Sequence, residues 1–244
     1  MNVSPTNYNT AVKYNTNFGH GDSDRPCSYN DKQKALIATS SAIGVLAGLA
    51  LLAKKDGYSL NPKRMFKNFK QSYLYKADYE DREIITMGAG SCLGGLAAGF
   101  AIDKNKENRK AKLRETLMQI ANVAVPIIFV TKFAKGGKYL GQKFFEKNKL
   151  AETYRSKIPK AIAAMVGLFS GVWVSNIVAN KINEKIFHQG KGRPVKLTDF
   201  SAHVDDMCMA ASQIDNKNPI IKTISRCIPA VLTIPGIEVG KKEA

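Results

Sequence analysis

Four long blocks without charged side chains constrain the fold of this sequence more than any other feature. Three of them, residues 35–53, 84–102 and 161–180, have close to the length that crosses a bilayer as a helix, about 20 mainly apolar residues. The remaining block, residues 116–131, is the third in chain order and is shorter, and Lys132 would have to extend toward the headgroups for its helix to reach residue 134. The sequence therefore predicts a mainly α-helical polytopic membrane protein with spans at about 35–53, 84–102, 116–134 and 161–180.

Small residues recur every four positions within three of these blocks. In lipid, helices associate where small side chains let the backbones approach closely, whereas each glycine would cost a soluble helix about 1 kcal/mol. The spacing resembles that of glycine-zipper membrane segments, and it predicts glycine-rich spans that pack against one another and could also support a homo-oligomer. The predicted packing positions are Gly44 and Gly48 in the first block, Ser91, Gly95 and Gly99 in the second, with Gly90, Gly94 and Ala98 on the adjacent ridge, and Gly167, Gly171 and Ser175 in the fourth.

The segments between the paired blocks are basic and contain aromatic residues, as in "NPKRMFKNFKQSYLYK" and "KGGKYLGQKFFEKNK". With a net charge of +17, the chain needs an anionic neighbour. Lysines beside aromatics are typical of amphipathic helices on an anionic lipid surface. We therefore predict two membrane hairpins, each with a basic amphipathic helix between its two spans. No helix-turn-helix or RNA-binding signature supports the alternative, a soluble helical protein that binds nucleic acid.

Lys and Arg are almost equally frequent on the two sides that four crossings would define, so the positive-inside rule gives no orientation. Basic segments on both sides leave a second geometry open, in which the hairpins enter one leaflet and return without crossing.

The regions outside the blocks differ in composition. Residues 1–34 are rich in Asn, Ser and Thr and predict a disordered polar tail, followed by a membrane region at 35–180. Residues 181–244 are expected to form a separate helical or interfacial module. Its last apolar run is about half a span long and contains Pro229 and Pro235, so an interfacial or re-entrant segment is expected.

Three polar residues in the spans are candidates for a site. Gln119 and Asn122 lie three positions apart with Pro126 one turn further, and Asn176 is expected at the depth of Asn122. We expect Asn122 and Asn176 to hydrogen-bond to each other, either as a packing contact between helices or as part of a polar path with Pro126 as a kink. These residues, with a possible internal repeat at a shift of 76 positions, motivate the alternative of a small channel or transporter.

No catalytic, cofactor-binding or nucleotide-binding motif is visible in the sequence. His203 and Asp206 would share a helix face, but no further ligand stands at a recognised metal-site spacing, so a solvated face is expected there. The sequence therefore predicts no enzyme, no cofactor and no metal. The predicted function is a membrane-organising scaffold that contacts anionic lipid.

Overall fold

The computed structural model describes residues 29–56, 79–145, 152–187, 223 and 225–244. Within these ranges the chain is almost entirely helical and contains no strand, which confirms the mainly α-helical prediction. The basic segment at 57–78 and the polar tail before residue 29 lie outside the described residues.

Four long helices account for most of the described chain. By length and composition, each contains a stretch that could cross a membrane. Two short helices follow near the C-terminus, and a π-helical turn at Thr153–Lys157 precedes the fourth long helix. The helices are α1 (Asp31–Lys55), α2 (Asp81–Ile102), α3 (Lys106–Phe145), α4 (Ile158–Ile186), α5 (Ile228–Val231) and α6 (Thr233–Lys241).

Helix α3 is much longer than the apolar block from which it was predicted. It contains 40 residues and runs without interruption through Pro126 and into the basic segment after Thr131. Lys, Arg, Glu, Gln and Leu are strong helix formers, so the helix propagates through charged sequence on both sides of the apolar block. The part of the second basic segment up to Phe145 is therefore a continuation of α3 and not a separate interfacial helix.

The long helices pack as two antiparallel pairs. Along α1 and α2, Gly44 lies against the backbone of Gly90, and Gly48 lies against the backbone of Thr86. Helices α3 and α4 pack in the same sense, with Gly137 against Pro159 and Gly171 against Pro126. Helix α2 joins the two pairs because it also packs against α3.

Helix α6 lies inside the bundle, where it contacts α1, α2 and α3. The residues before it, Ile228 and Leu232, belong to a hydrophobic cluster with Tyr79 and Ile84 at the start of α2. The other end of α6 reaches the C-terminal end of α2, so α5 and α6 follow α2 over most of its length. The C-terminal segment, for which the sequence predicts an interfacial or re-entrant position, thus packs against α1, α2 and α3.

Candidate helix-docking site

A groove of small residues on α2 holds α6. Gly95 lies against the carbonyl of Gly236, and Gly99 lies against the carbonyl of Gly240. The Ser91 hydroxyl donates to the Thr233 carbonyl at 3.3 Å. From the Ser91–Thr233 contact to the Gly99–Gly240 contact, the residue numbers of α2 and α6 increase together, so α6 runs parallel to α2. The ridge at Ser91, Gly95 and Gly99 therefore receives a helix that the spacing alone did not identify.

At the far end of the groove, the amino group of Lys112 is completely buried, with 0 % side-chain exposure. It lies 3.3 Å from the carboxylate of Asp103 and 2.8 Å from the hydroxyl of Tyr29. It also donates to the backbone carbonyl of Lys242, just after α6. One lysine on α3 therefore joins the residues before α1, after α2 and after α6.

The carboxylate of Asp103 is arranged to stay ionised beside Lys112. Burial opposes its ionisation, but hydrogen bonds from the Asn105 backbone N–H, Asn108 and Tyr29 and the charge of Lys112 together lower its pKa. A buried amino group needs such a counter-charge, because an unpaired ion in a low-dielectric site costs several kcal/mol. Asp103 and Lys112 therefore form a buried ion pair.

A second polar group, one to two turns further along α3, also connects to α6. Gln119 donates to Glu115 at 2.9 Å and to Glu238 of α6 at 2.8 Å. The amino group of Lys242 lies 3.6 Å from the other oxygen of Glu115. We call Tyr29, Asp103, Lys112, Glu115, Gln119, Glu238 and Lys242 the charged cluster. These bonds fix the rotation of α6 about its axis and its position along the groove. Apolar packing alone would allow α6 to slide along α2.

The other predicted packing residues lie between helices of one pair. Gly44 and Gly48 face α2, whereas Gly167 and Gly171 face the Phe129–Pro126 side of α3. A shift of 76 positions superimposes the ridge that begins at Ser91 on the ridge that begins at Gly167. The two ridges have different partners, because the first packs against α6 and the second against α3. All these glycines are in contact within the chain, so a homo-oligomer remains a prediction that would have to use other helix faces.

The polar residues of the third span do not converge on one pocket. Gln119 faces α6, while Asn122 accepts a hydrogen bond from Ser175 of α4. Asn176 accepts from Asn180 at 2.9 Å on its own helix. The expected hydrogen bond between Asn122 and Asn176 is therefore wrong, because the partner of Asn122 on α4 is Ser175, the residue before Asn176. Side chains three positions apart on a helix diverge by about 60°, enough for Gln119 and Asn122 to reach different neighbours.

A double-mutant cycle distinguishes the observed partner of Asn122 from the expected one. We expect Asn122→Leu and Ser175→Ala to couple by about 0.6 kcal/mol, and by at most about 1.7 kcal/mol, as interhelical hydrogen bonds in membrane proteins do. Asn122→Leu and Asn176→Leu should be additive. Unfolding free energies in detergent provide the measurement, and coupling only in the second cycle would contradict the assignment.

Sequence reasoning missed most of the charged cluster. Glu115 and Lys112 precede the third apolar block and look like ordinary solvated residues, and Glu238 lies 119 positions from its partner Gln119. Only the proximity of charged residues to the ends of apolar blocks could have drawn attention to them. The candidate metal residues His203 and Asp206 lie outside the described residues.

No protein-family model, no curated protein and no solved structure matches this chain.

Proposed function

We propose that this chain is an integral membrane protein with four crossings and a non-enzymatic scaffold role at an anionic lipid surface. The observation that carries the proposal is the distribution of side chains in the bundle. Small residues and most of the charged cluster are buried, and large apolar side chains lie not only in the core but also in long exposed rows on the outside. A water-soluble bundle would not expose such rows, because contiguous apolar surface is costly in water.

The outward apolar side chains form stripes along the two helices at the edges of the bundle. On α1 they include Ile43, Leu46 and Leu51, which is 69 % exposed. On α4 they follow helical periodicity, and Trp173 is 59 % exposed. The members of the α4 stripe are Ile162, Val166, Phe169, Trp173 and Ile177. Contact with acyl chains would remove this surface from water.

Polar groups mark both ends of α2 at a separation that fits a bilayer. At its start, Arg82 pairs with Asp56 at 3.0 Å, and at its end Asp103 pairs with Lys112. The 22 residues of α2 span about 33 Å, close to the hydrocarbon thickness of about 30 Å. This separation favours helices that cross the whole bilayer, rather than hairpins that enter and return within one leaflet.

Cysteine accessibility tests the crossings. Single cysteines at Lys55 and Lys143 mark the end of the bundle near Asp81, and those at Lys104 and Lys185 mark the end near Asp103. In a background without the four natural cysteines, we expect an impermeant maleimide to label the first pair from one side of sealed vesicles and the second pair from the other. A permeant maleimide should label all four.

Two outcomes would contradict the proposal. Labelling of all four positions from the same side would indicate one-leaflet hairpins or no insertion. Release of the protein from membranes by carbonate or high salt alone would favour the soluble nucleic-acid-binding alternative, whose attachment would be electrostatic.

A further inference from the structure

The α3–α4 pair extends well beyond the end of the α1–α2 pair. Thr131 donates a hydrogen bond to Asp81 at 2.6 Å, which places Thr131 level with the start of α2. Residues 132–145 of α3 continue for about 21 Å past this level. The start of α4 accompanies them, because Gly137 and Gly141 contact Pro159. We call residues 132–145 and 152–160 the hairpin tip.

The hairpin tip is strongly basic. Residues 132–145 include no Asp or Glu, and residues 152–160 include one, Glu152. Lys132, Lys135, Lys138 and Lys143 are exposed along the tip, and Arg155, Lys157 and Lys160 lie on the other side of the hairpin. Lys132 follows directly on the apolar block, whereas Lys138 and Lys143 lie about 10 and 18 Å further out than Thr131. The headgroup layer on each side of a bilayer is only about 5–8 Å thick, so these two lysines project past the headgroups of their own leaflet.

Large apolar side chains are exposed beside these lysines. Phe144 is 73 % exposed, and Tyr139, Leu140 and Ile158 are also exposed. Lysines around exposed aromatic and aliphatic side chains favour a lipid surface, where the cations contact phosphates and the apolar groups enter the interface. A nucleic-acid groove would use the cations and aromatic rings but gain little from Leu140 or Ile158.

We infer that the hairpin tip is a docking surface for a second, anionic phospholipid membrane that faces the one in which the protein is inserted. The chain would thus hold two membranes together. The inference rests on the proposed membrane insertion and adds an opposing membrane as the partner. Three observations support it: the extension of the tip beyond Thr131, its positive charge and its exposed apolar side chains.

Vesicle clustering tests this inference with the full-length protein. The protein is reconstituted into phosphatidylcholine vesicles, and acceptor vesicles contain phosphatidylcholine with or without phosphatidylserine. We expect clustering, measured by energy transfer between lipid dyes, only with phosphatidylserine in the acceptor, and we expect it to weaken with salt. Because the anionic lipid is confined to the acceptor vesicles, contact of the tip with its own leaflet cannot produce the signal.

Charge-reversal variants locate the surface. Lys138→Glu with Lys143→Glu should reduce clustering at least about tenfold, since each lysine near an anionic surface contributes to binding. The matched control, Lys104→Glu with Lys106→Glu, changes two exposed lysines just before α3 and at its start and should retain the wild-type signal. Leu140→Ser with Phe144→Ser keeps the charge and should also reduce clustering.

The outcomes separate this inference from the proposed insertion. If the protein co-floats with its own vesicles after carbonate treatment but does not cluster anionic acceptors, the docking surface is wrong and the insertion stands. An acidic protein would then be the better partner for the tip. Equal clustering by the Lys138/Lys143 variant and the wild type would also overturn the inference, whereas failure to co-float would contradict the insertion itself.

Discussion

Replacing Gly95 by alanine should destabilise the protein by about 2 kcal/mol, and replacing it by leucine should displace α6 from its groove. A methyl group at Gly95 would collide with the carbonyl of Gly236, and backbone atoms of two packed helices cannot move apart without opening the groove. Thermal unfolding in detergent measures the first effect. Hydrogen exchange at residues 233–241 measures the second, and protection should be lost there while it persists in α3 and α4.

The matched control is the same substitution at Gly136. A methyl group there would meet nothing within 4 Å, and alanine stabilises an exposed helix position by about 1 kcal/mol relative to glycine. Gly95→Ala and Gly136→Ala should therefore shift the unfolding temperature in opposite directions. Equal shifts, or full protection of residues 233–241 in Gly95→Leu, would show that α6 does not depend on the groove.

Replacing Lys112 by methionine should cost about 3–5 kcal/mol, because it removes one partner of a buried ion pair. Asp103 would be left as a partly buried carboxylate, and the Lys242 carbonyl would lose its buried donor. Methionine keeps a similar apolar length, so the change isolates the loss of charge from the loss of volume. Chemical denaturation in detergent, followed by circular dichroism, provides the measurement.

Two further variants make this expectation specific. Lys110→Met changes an exposed lysine that pairs with Glu107 three positions away, and such pairs contribute less than about 0.5 kcal/mol. Adding Asp103→Asn to Lys112→Met should recover part of the lost stability, because the carboxylate is then neutral. If the double variant loses the sum of the two single losses, Asp103 and Lys112 do not stabilise the fold as a pair.

The apolar parts of the long helices could be predicted from the sequence, because an uncharged, mainly apolar stretch of about 20 residues is typical of a helix that crosses a membrane. The ends of the helices could not. The prediction for the third helix covered residues 116–134, whereas α3 covers Lys106–Phe145. Hydropathy reports where a helix can lie in lipid, and it does not report where the backbone hydrogen bonding stops.

Sequence patterns could not predict the docking of α6, for a different reason. Pro229 and Pro235 suggest interruption, yet each lies within the first three residues of its short helix, where the missing N–H removes no helical hydrogen bond. The groove itself could be read from the spacing of Ser91, Gly95 and Gly99, but a ridge of small residues does not specify which helix fills it. The charged cluster specifies it, and its members are dispersed along the chain.

The position of α6 in the chain also imposes an order on biogenesis. Ser91 and its partner Thr233 are separated by 142 residues. At a translation rate of about 5–20 residues per second, the ribosome needs roughly 7–30 s to make this stretch. During that interval α2 already exists with its groove unfilled and Lys112 without the carbonyl of Lys242. The groove at Gly95 and Gly99 therefore stays unfilled by α6 until the chain has been made through residue 241.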